Sequence, residues 1–236
     1  MRNLKSPLLI CFAHTLLIGL ANLSGQTLSP VPADSSAAAE RPSALEDQPE
    51  GWRDLLSAGL GEWKRVPYPN KPLKDPDIWS LDAETKILTC EGTGTHENLF
   101  YREPFADGIL HVEWRFKKVE GGKGYNSGVF VRSSEDGSIW HQAQVGDRNV
   151  GYLFGASPKE GKVERIKIDD GVTQRGKEAG GWNIYEVTCR GRDVTLWING
   201  VITATWHDCQ VPKGSVGLEA EGWTIEFKNV KFKELR

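Results

Sequence analysis

The sequence predicts an all-β fold, a jelly-roll sandwich of two antiparallel sheets. Three observations carry this. Segment after segment alternates apolar and polar residues with period two; turn residues rich in Gly and Asn separate the segments at short intervals; and no stretch of useful length keeps a helical period. A strand of that pattern buries one side and wets the other, so it becomes stable by packing one sheet on another.

The segments follow in order. From Leu110 to Lys117, Leu110, Val112, Trp114 and Phe116 point one way, and His111, Glu113, Arg115 and Lys117 the other. The run Gly121-Gly-Lys-Gly-Tyr-Asn-Ser-Gly-Val-Phe-Val-Arg132 is as rich in glycine as a phosphate-binding loop. Such a loop needs a helix N-terminus behind its glycines, and here the strand formers Val129, Phe130 and Val131 follow instead. The run is therefore a flexible connection into a strand. On the next segment Trp140, Gln142 and Gln144 are in phase and His141 is out of phase. Tyr185, Val187 and Cys189 oppose Glu186, Thr188 and Arg190; Val194, Leu196 and Ile198 oppose Thr195, Trp197 and Asn199. Asn199-Gly200 then marks a two-residue hairpin, because both turn positions favour positive φ. Val201–Trp206 returns, and Ser215–Ala220 and Thr224–Leu235 finish the fold. The apolar phase of the last strand switches between Phe227 and Val230, which predicts a bulge at Lys228-Asn229.

A net charge of −3 on 236 residues leaves no basic excess for nucleic acid. Nine tryptophans and 26 glycines suit a β-rich fold with tight turns, and equally a sugar-binding surface. Residues 1–25 read as a secretory signal: Arg2 and Lys5 precede the apolar run Leu8–Leu20, and small residues follow to Gly25. That run is shorter than the ~20 residues of a spanning helix. The mature chain is thus expected to be secreted or periplasmic, with no membrane partner. Residues 26–50, rich in Ser, Pro, Ala and Glu, read as a disordered spacer, which leaves 51–236 as one domain. Cys90, Cys189 and Cys209 cannot all pair, so no disulfide framework is expected, and no CxxC or HxxxH supports a cysteine–histidine zinc site.

The chemistry-bearing candidates are few. Glu113 is either a solvated strand carboxylate or a base lining a binding face. Arg132 has the planar fork that grips paired oxygens, or it forms a salt bridge with an acid such as Glu113. Gln142 and Gln144, two residues apart with Trp140 in phase, make a reader of sugar hydroxyls but cannot carry protons. Asn126 and Ser127 stand at the rim of the same strand or simply shape its turn. Asp147 meets substrate or a calcium-type cation alongside backbone carbonyls, or is a turn residue. Tyr152 stacks on a sugar ring or packs in the core. His141 is a base only if its strand is bulged. Glu221 is a second carboxylate, and its neighbour Trp223 a candidate sugar platform. Glu113, Arg132, Gln142 and Gln144 are expected on one outward surface, with Val112, Trp114, Val129 and Leu196 buried.

The domain resembles the 3-keto-disaccharide hydrolase domain family, concanavalin A-like jelly rolls of secreted bacterial proteins. The resemblance rests on pieces in order: Gly51-Trp52-Arg53-Asp54-Leu55-Leu56 with Trp63; Trp79 with Ile87-Leu88 and Glu91-Gly92; Phe105-Ala-Asp107 through Glu113-Trp-Arg115; Asn126-Ser-Gly-Val-Phe-Val-Arg132; Trp182-Asn-Ile-Tyr-Glu186; Trp197-Ile-Asn-Gly200; and Glu226-Phe-Lys-Asn-Val230. Two places depart from it. Gln142-Ala-Gln144 stands where members often have Glu-x-Gln, and Glu219-Ala-Glu221 where they often carry a His. The resemblance implies cleavage of 3-keto-glycosides: the ketone acidifies the hydrogen at carbon 2, a base removes it, the glycosidic oxygen leaves, and water adds back. Glu113, Arg132 and Glu221 are the residues expected to serve that chemistry, and the need for a divalent cation stays open. A non-catalytic carbohydrate-binding sandwich is the other reading. Ordinary glycosidase chemistry is disfavoured, since no strand carries an alternating Glu-x-Asp-x-x-Glu.

Overall fold

A computed structural model describes residues 40–68, 71–73, 76–147, 150–171 and 174–235. The expected signal over 1–25 and the spacer through residue 39 lie outside the described residues. Among the described residues, fifteen strands and one short helix occur, and the strands form two antiparallel sheets. The eight-stranded sheet runs β13 (Val201–Trp206), β12 (Asp193–Ile198), β11 (Asn183–Arg190), β6 (Gly108–Phe116), β15 (Thr224–Glu234), β4 (Leu88–Glu91) and β3 (Trp79–Leu81), with β1 (Arg53–Asp54) also on β15. The seven-stranded sheet runs β10 (Lys162–Ile168), β9 (Leu153–Lys159), β8 (Trp140–Gly146), β7 (Asn126–Ser133), β14 (Ser215–Glu221), β5 (His96–Tyr101) and β2 (Trp63–Pro67).

The core lies between the sheets. Val112, Trp114, Tyr185, Leu196 and Phe227 from one meet Val129, Val145 and Leu218 from the other, all buried. These are the apolar phases read from the sequence, and the all-β sandwich follows from them. The bulge in β15 is present too: its register against β6 shifts between Lys228 and Lys231, and Asn229 has φ 48°. A second, small apolar group of Val66, Phe100 and Phe130, flanked by Trp140, sits on the outer side of the seven-stranded sheet. It forms part of the floor of the site below. Among the described residues no helix is long and apolar enough to cross a membrane.

The spacer expected over 26–50 is not disordered at its described end. Ser43 caps the helix α1 (Ala44–Asp47) in a capping box with Glu46. The amides of Ala44 and Leu45 donate to the Glu186 carboxylate at 2.7 and 3.1 Å, and Arg41 N donates to Gly200 O. Glu186 also meets His111 Nδ1 at 2.9 Å. A helix of one turn cannot stand alone in water. Its exposed amides are held by a carboxylate presented from β11, a contact that composition does not reveal.

Candidate functional site

The outer face of the seven-stranded sheet carries a cleft of about 350 Å³. Its walls come from alternation on adjacent strands. On β5, His96, Asn98 and Phe100 face outward while Leu99 and Tyr101 join the core. On β14, Gly217, Glu219 and Glu221 face outward while Leu218 and Ala220 are core. The register then sets the rows. Glu221 pairs with His96 on one side and Asn126 on the other; Glu219 pairs with Asn98; Gly217 lies between Phe100 and Phe130, whose β8 partner is Gln142. Trp140, Phe154 and Arg165 close one end of the cleft, and Tyr68 the other.

At the Tyr68 end three proton-active groups converge. His96 Nε2 lies 2.9 Å from Glu219 Oε1 and 3.9 Å from Glu221 Oε2. The Tyr68 ring stacks on the imidazole at 3.8 Å and 13°, which fixes its plane. Gln142 Nε2 donates to Glu219 Oε2 at 2.5 Å and Gln144 Nε2 to Asn126 Oδ1 at 2.5 Å. The Glu221 carboxyl is pushed above its ordinary value, by burial first and by the charge of Glu219 second, against the pull of His96, Asn126 and Lys71. Glu219 and His96 are nearly buried, whereas Glu221 keeps 35 % of its side chain exposed, so it is the more open of the two carboxylates. Asn98 Oδ1 is buried without a hydrogen-bond partner, an acceptor that a hydroxyl or a cation would satisfy. One ligand atom from each of His96, Glu219 and Glu221 lies within 4.8 Å of the others, close enough to hold a metal ion together.

Several expected site residues fall here and others do not. Asn126, Gln142, Gln144 and Glu221 line the cleft together. Ser127 does not; it is buried beneath the face, where its Oγ donates to Glu219 O at 2.7 Å. Asp147 accepts from Gly124 N at 2.9 Å and lines a separate hollow, pinning the glycine-rich connection to the end of β8. Trp223 serves the same connection, donating from Nε1 to Gly124 O. Tyr152 lies beside Phe154 outside the cleft, and Lys167 Nζ sits 4.1 Å from its ring centroid.

Glu113 and Arg132 are the two corrections. Glu113 is on the polar side of β6 as expected, but β6 belongs to the other sheet. There it accepts from Asn229 Nδ2 at 2.5 Å and pairs with Lys228 at 3.2 Å. Its carboxyl is held down at about 2: burial opposes the charge, and His111, Asn229 and Lys228 outweigh that. Arg132 sits at a register shift of β7 against β14 and has φ 47°. The extra residue turns the side chain inward, 1 % exposed, where it donates to Asp107 and Gly191 O at 2.9 Å. The four residues expected to share one surface are thereby divided. His141 is also inward, bonded to Ser157 Oγ at 2.9 Å. Sequence reasoning missed His96, Asn98, Glu219 and Tyr68 as site residues. The period-two phases of 96–101 and 215–221 were the available signal.

A family model for the 3-keto-alpha-glucoside-1,2-lyase-like domain matches residues 51–233, well over half of the chain. The chain belongs to that family. No curated protein matches it in sequence. Among solved structures, a Parabacteroides distasonis ATCC 8503 protein assigned as a glycosyl hydrolase is 17 % identical, with TM-score 0.56, and the match covers 84 % of this chain and 100 % of that one. A carbohydrate binding module from Bacillus subtilis is 15 % identical with TM-score 0.54, covering 73 % and 96 %. A Bacillus licheniformis beta-glucanase is 10 % identical with TM-score 0.51, covering 78 % and 97 %. At these identities the three share the jelly-roll fold with this 3-keto-alpha-glucoside-1,2-lyase-like chain. The fold class and the family expected from the sequence both stand.

Proposed function

We propose that the chain cleaves the glycosidic bond of 3-keto-glycosides, 3-keto-disaccharides among them, by elimination and rehydration in the outer-face cleft. The observation that carries this reading is the convergence of His96, Glu219 and Glu221 at one end of a cleft floored by amides and aromatic rings. The floor suits a sugar: Asn98, Asn126, Gln142 and Gln144 offer donors and acceptors to hydroxyls, and Trp140 and Tyr68 offer faces to ring carbons.

The chemistry needs a base, a positive pole for the enolate and an acid. Glu221, the reachable carboxylate, takes the proton from carbon 2. The C–H pair becomes the carbon 2–carbon 3 double bond, and charge moves to the ketone oxygen. When the enolate collapses, the carbon 1–oxygen bond breaks and its electron pair leaves with the glycosidic oxygen, which picks up a proton. Water then adds at carbon 1 and a proton returns to carbon 2, so the net change is hydrolysis. His96, held beside both carboxylates, marks the end of the cleft where the positive pole for the enolate is needed.

A non-catalytic carbohydrate-binding role would use the same amides and rings. It gives no reason for an imidazole and two carboxylates packed at one end, which is why the enzyme reading is preferred. The deciding experiment is incubation of the purified chain with 3-keto-glucosides and with their unoxidised parents in heavy water. Cleavage of the keto forms alone, with deuterium at carbon 2 of the product, supports the reading. Comparable cleavage of an unoxidised disaccharide, or product without deuterium at carbon 2, defeats it. Binding without turnover favours the binding module. Export to the periplasm or medium belongs to the same proposal and rests on Arg2, Lys5 and the Leu8–Leu20 run. Mass spectrometry of exported protein should find the N-terminus near Gln26.

A further inference from the structure

We infer that His96 Nε2, Glu219 Oε1 and Glu221 Oε2 are the ligands of a divalent first-row cation of the Mn²⁺ or Zn²⁺ class. Its binding stands on the geometry alone; the role given to it below rests on the proposed function.

The three donors come from two paired strands, so the backbone sets their spacing. His96 and Glu221 are register partners, and Glu219 is two residues along on the same face. Ligands about 2.1 Å from a common ion lie about 3.0 Å apart in octahedral and about 3.4 Å apart in tetrahedral arrangement. The contacts of 2.9 and 3.9 Å from His96 Nε2 are within an adjustment of about 1 Å of either.

The surroundings are those of a built site. Gln142 donates to Glu219 Oε2, which leaves Oε1 facing the imidazole. Tyr68 fixes the plane of His96. Outer partners that orient ligands in this way are what metal sites use. An independent observation points to a ligand: Asn98, across the ladder from Glu219 and 9 % exposed, has a buried Oδ1 with no partner. Two carboxylates crowd a shielded corner on either side of one imidazole.

The donor set names the class. One imidazole and two carboxylates, with no thiolate, suit Mn²⁺ or Zn²⁺. Ca²⁺ wants six to eight oxygens, more than this corner gathers. All three donors line the cleft. An ion there would meet the ketone oxygen of a 3-keto-glycoside and take up enolate charge, while the Glu221 carboxylate, 35 % exposed, stays within reach of the carbon 2 proton.

The test uses untagged mature chain stripped with a chelator and titrated calorimetrically with MnCl₂ and, separately, ZnCl₂. One ion per chain is expected. His96→Ala and Glu219→Gln should each weaken binding roughly tenfold or more, with Gln142→Ala showing a smaller loss. His207→Ala, on an exposed side chain paired with Asp193, should bind as the parent does. Thermal melts monitored by circular dichroism separate ligand loss from unfolding, and Glu221→Gln provides a variant of unchanged shape. No one-to-one binding up to about 1 mM, or equal binding by folded His96→Ala, overturns the site. Turnover of a 3-keto-glucoside by chain shown metal-free by elemental analysis overturns the role of the ion. One-to-one binding that is lost in His96→Ala but accompanies no turnover upholds the site and defeats the proposed function instead.

Discussion

Gln142 Nε2 donates to Glu219 Oε2 at 2.5 Å, and the amide that does so fills the space above position 128. A Cβ there would lie 1.8 Å from Gln142 Nε2 and 2.7 Å from its Cγ. The glycine of Asn126-Ser127-Gly128 is needed so that this side chain can lie flat across β7 and reach β14. Gly128→Ala should therefore lift Gln142 away and release Glu219. Turnover is expected to fall roughly tenfold or more, and Gln142→Ala should do the same. The double variant should be little worse than either, because both remove one contact. Losses that multiply in the double variant would show that the two residues act separately.

Glu221 and Glu113 make opposed predictions. Glu221→Gln keeps the shape of the cleft and deletes the carboxylate that substrate reaches, so turnover should drop roughly 10²-fold or more. Glu113→Gln changes the far sheet. It loses the charge that Lys228 and His111 face, for a cost of about 1 kcal/mol in unfolding free energy, and kcat should stay within about twofold. Steady-state kinetics and urea denaturation on both variants check this. A large kcat loss in a folded Glu113→Gln would return the base to β6.

Arg132→Lys is expected to be a stability variant. The guanidinium bridges Asp107 and the carbonyl of Gly191, and one ammonium cannot keep both contacts in the same geometry. The loss should be about 2–3 kcal/mol, as for a disturbed buried ion pair. Activity per folded molecule should be preserved. A normal melting midpoint with reduced turnover would restore Arg132 to the site.

These contrasts show what was legible in the sequence. Alternation told which side of a strand each residue takes, so Gln142 and Gln144 came out together with Trp140, and Val112 and Leu196 came out buried. The Lys228-Asn229 bulge was visible because apolar residues marked both phases around it. Alternation does not tell which sheet a strand joins, so Glu113 was placed on the wrong outward face. Nor does it reveal a bulge that moves a polar residue: one extra residue in β7 turned Arg132 into the interior. The meeting of His96 with Glu221 depends on β5 pairing with β14 across most of the domain, and local pattern carries no information on that pairing.

His141 yields a pH prediction that is independent of the cleft. Burial drives its imidazole down from 6.5 to about 4, a fall that the hydrogen bond to the Arg132 carbonyl opposes and the Arg132 charge reinforces. Trp206 and Cys209 pack against the ring, and Ser157 bonds its Nε2. The folded state thus keeps the ring neutral where the unfolded chain would protonate it. Above about 6.5 both states are neutral and the residue adds no pH dependence. As pH falls from about 6.5 to about 4, the unfolded state binds the extra proton and stability declines, by about 3 kcal/mol at most. His141→Gln removes the titration. It should be less stable than the parent near neutrality through lost packing, yet lose less on acidification across that window. Urea midpoints measured at stepwise lower pH on both proteins provide the comparison, with contributions from other groups cancelling. Parallel pH profiles for parent and variant would mean that the ring is already protonated, or reached by water, in the folded protein.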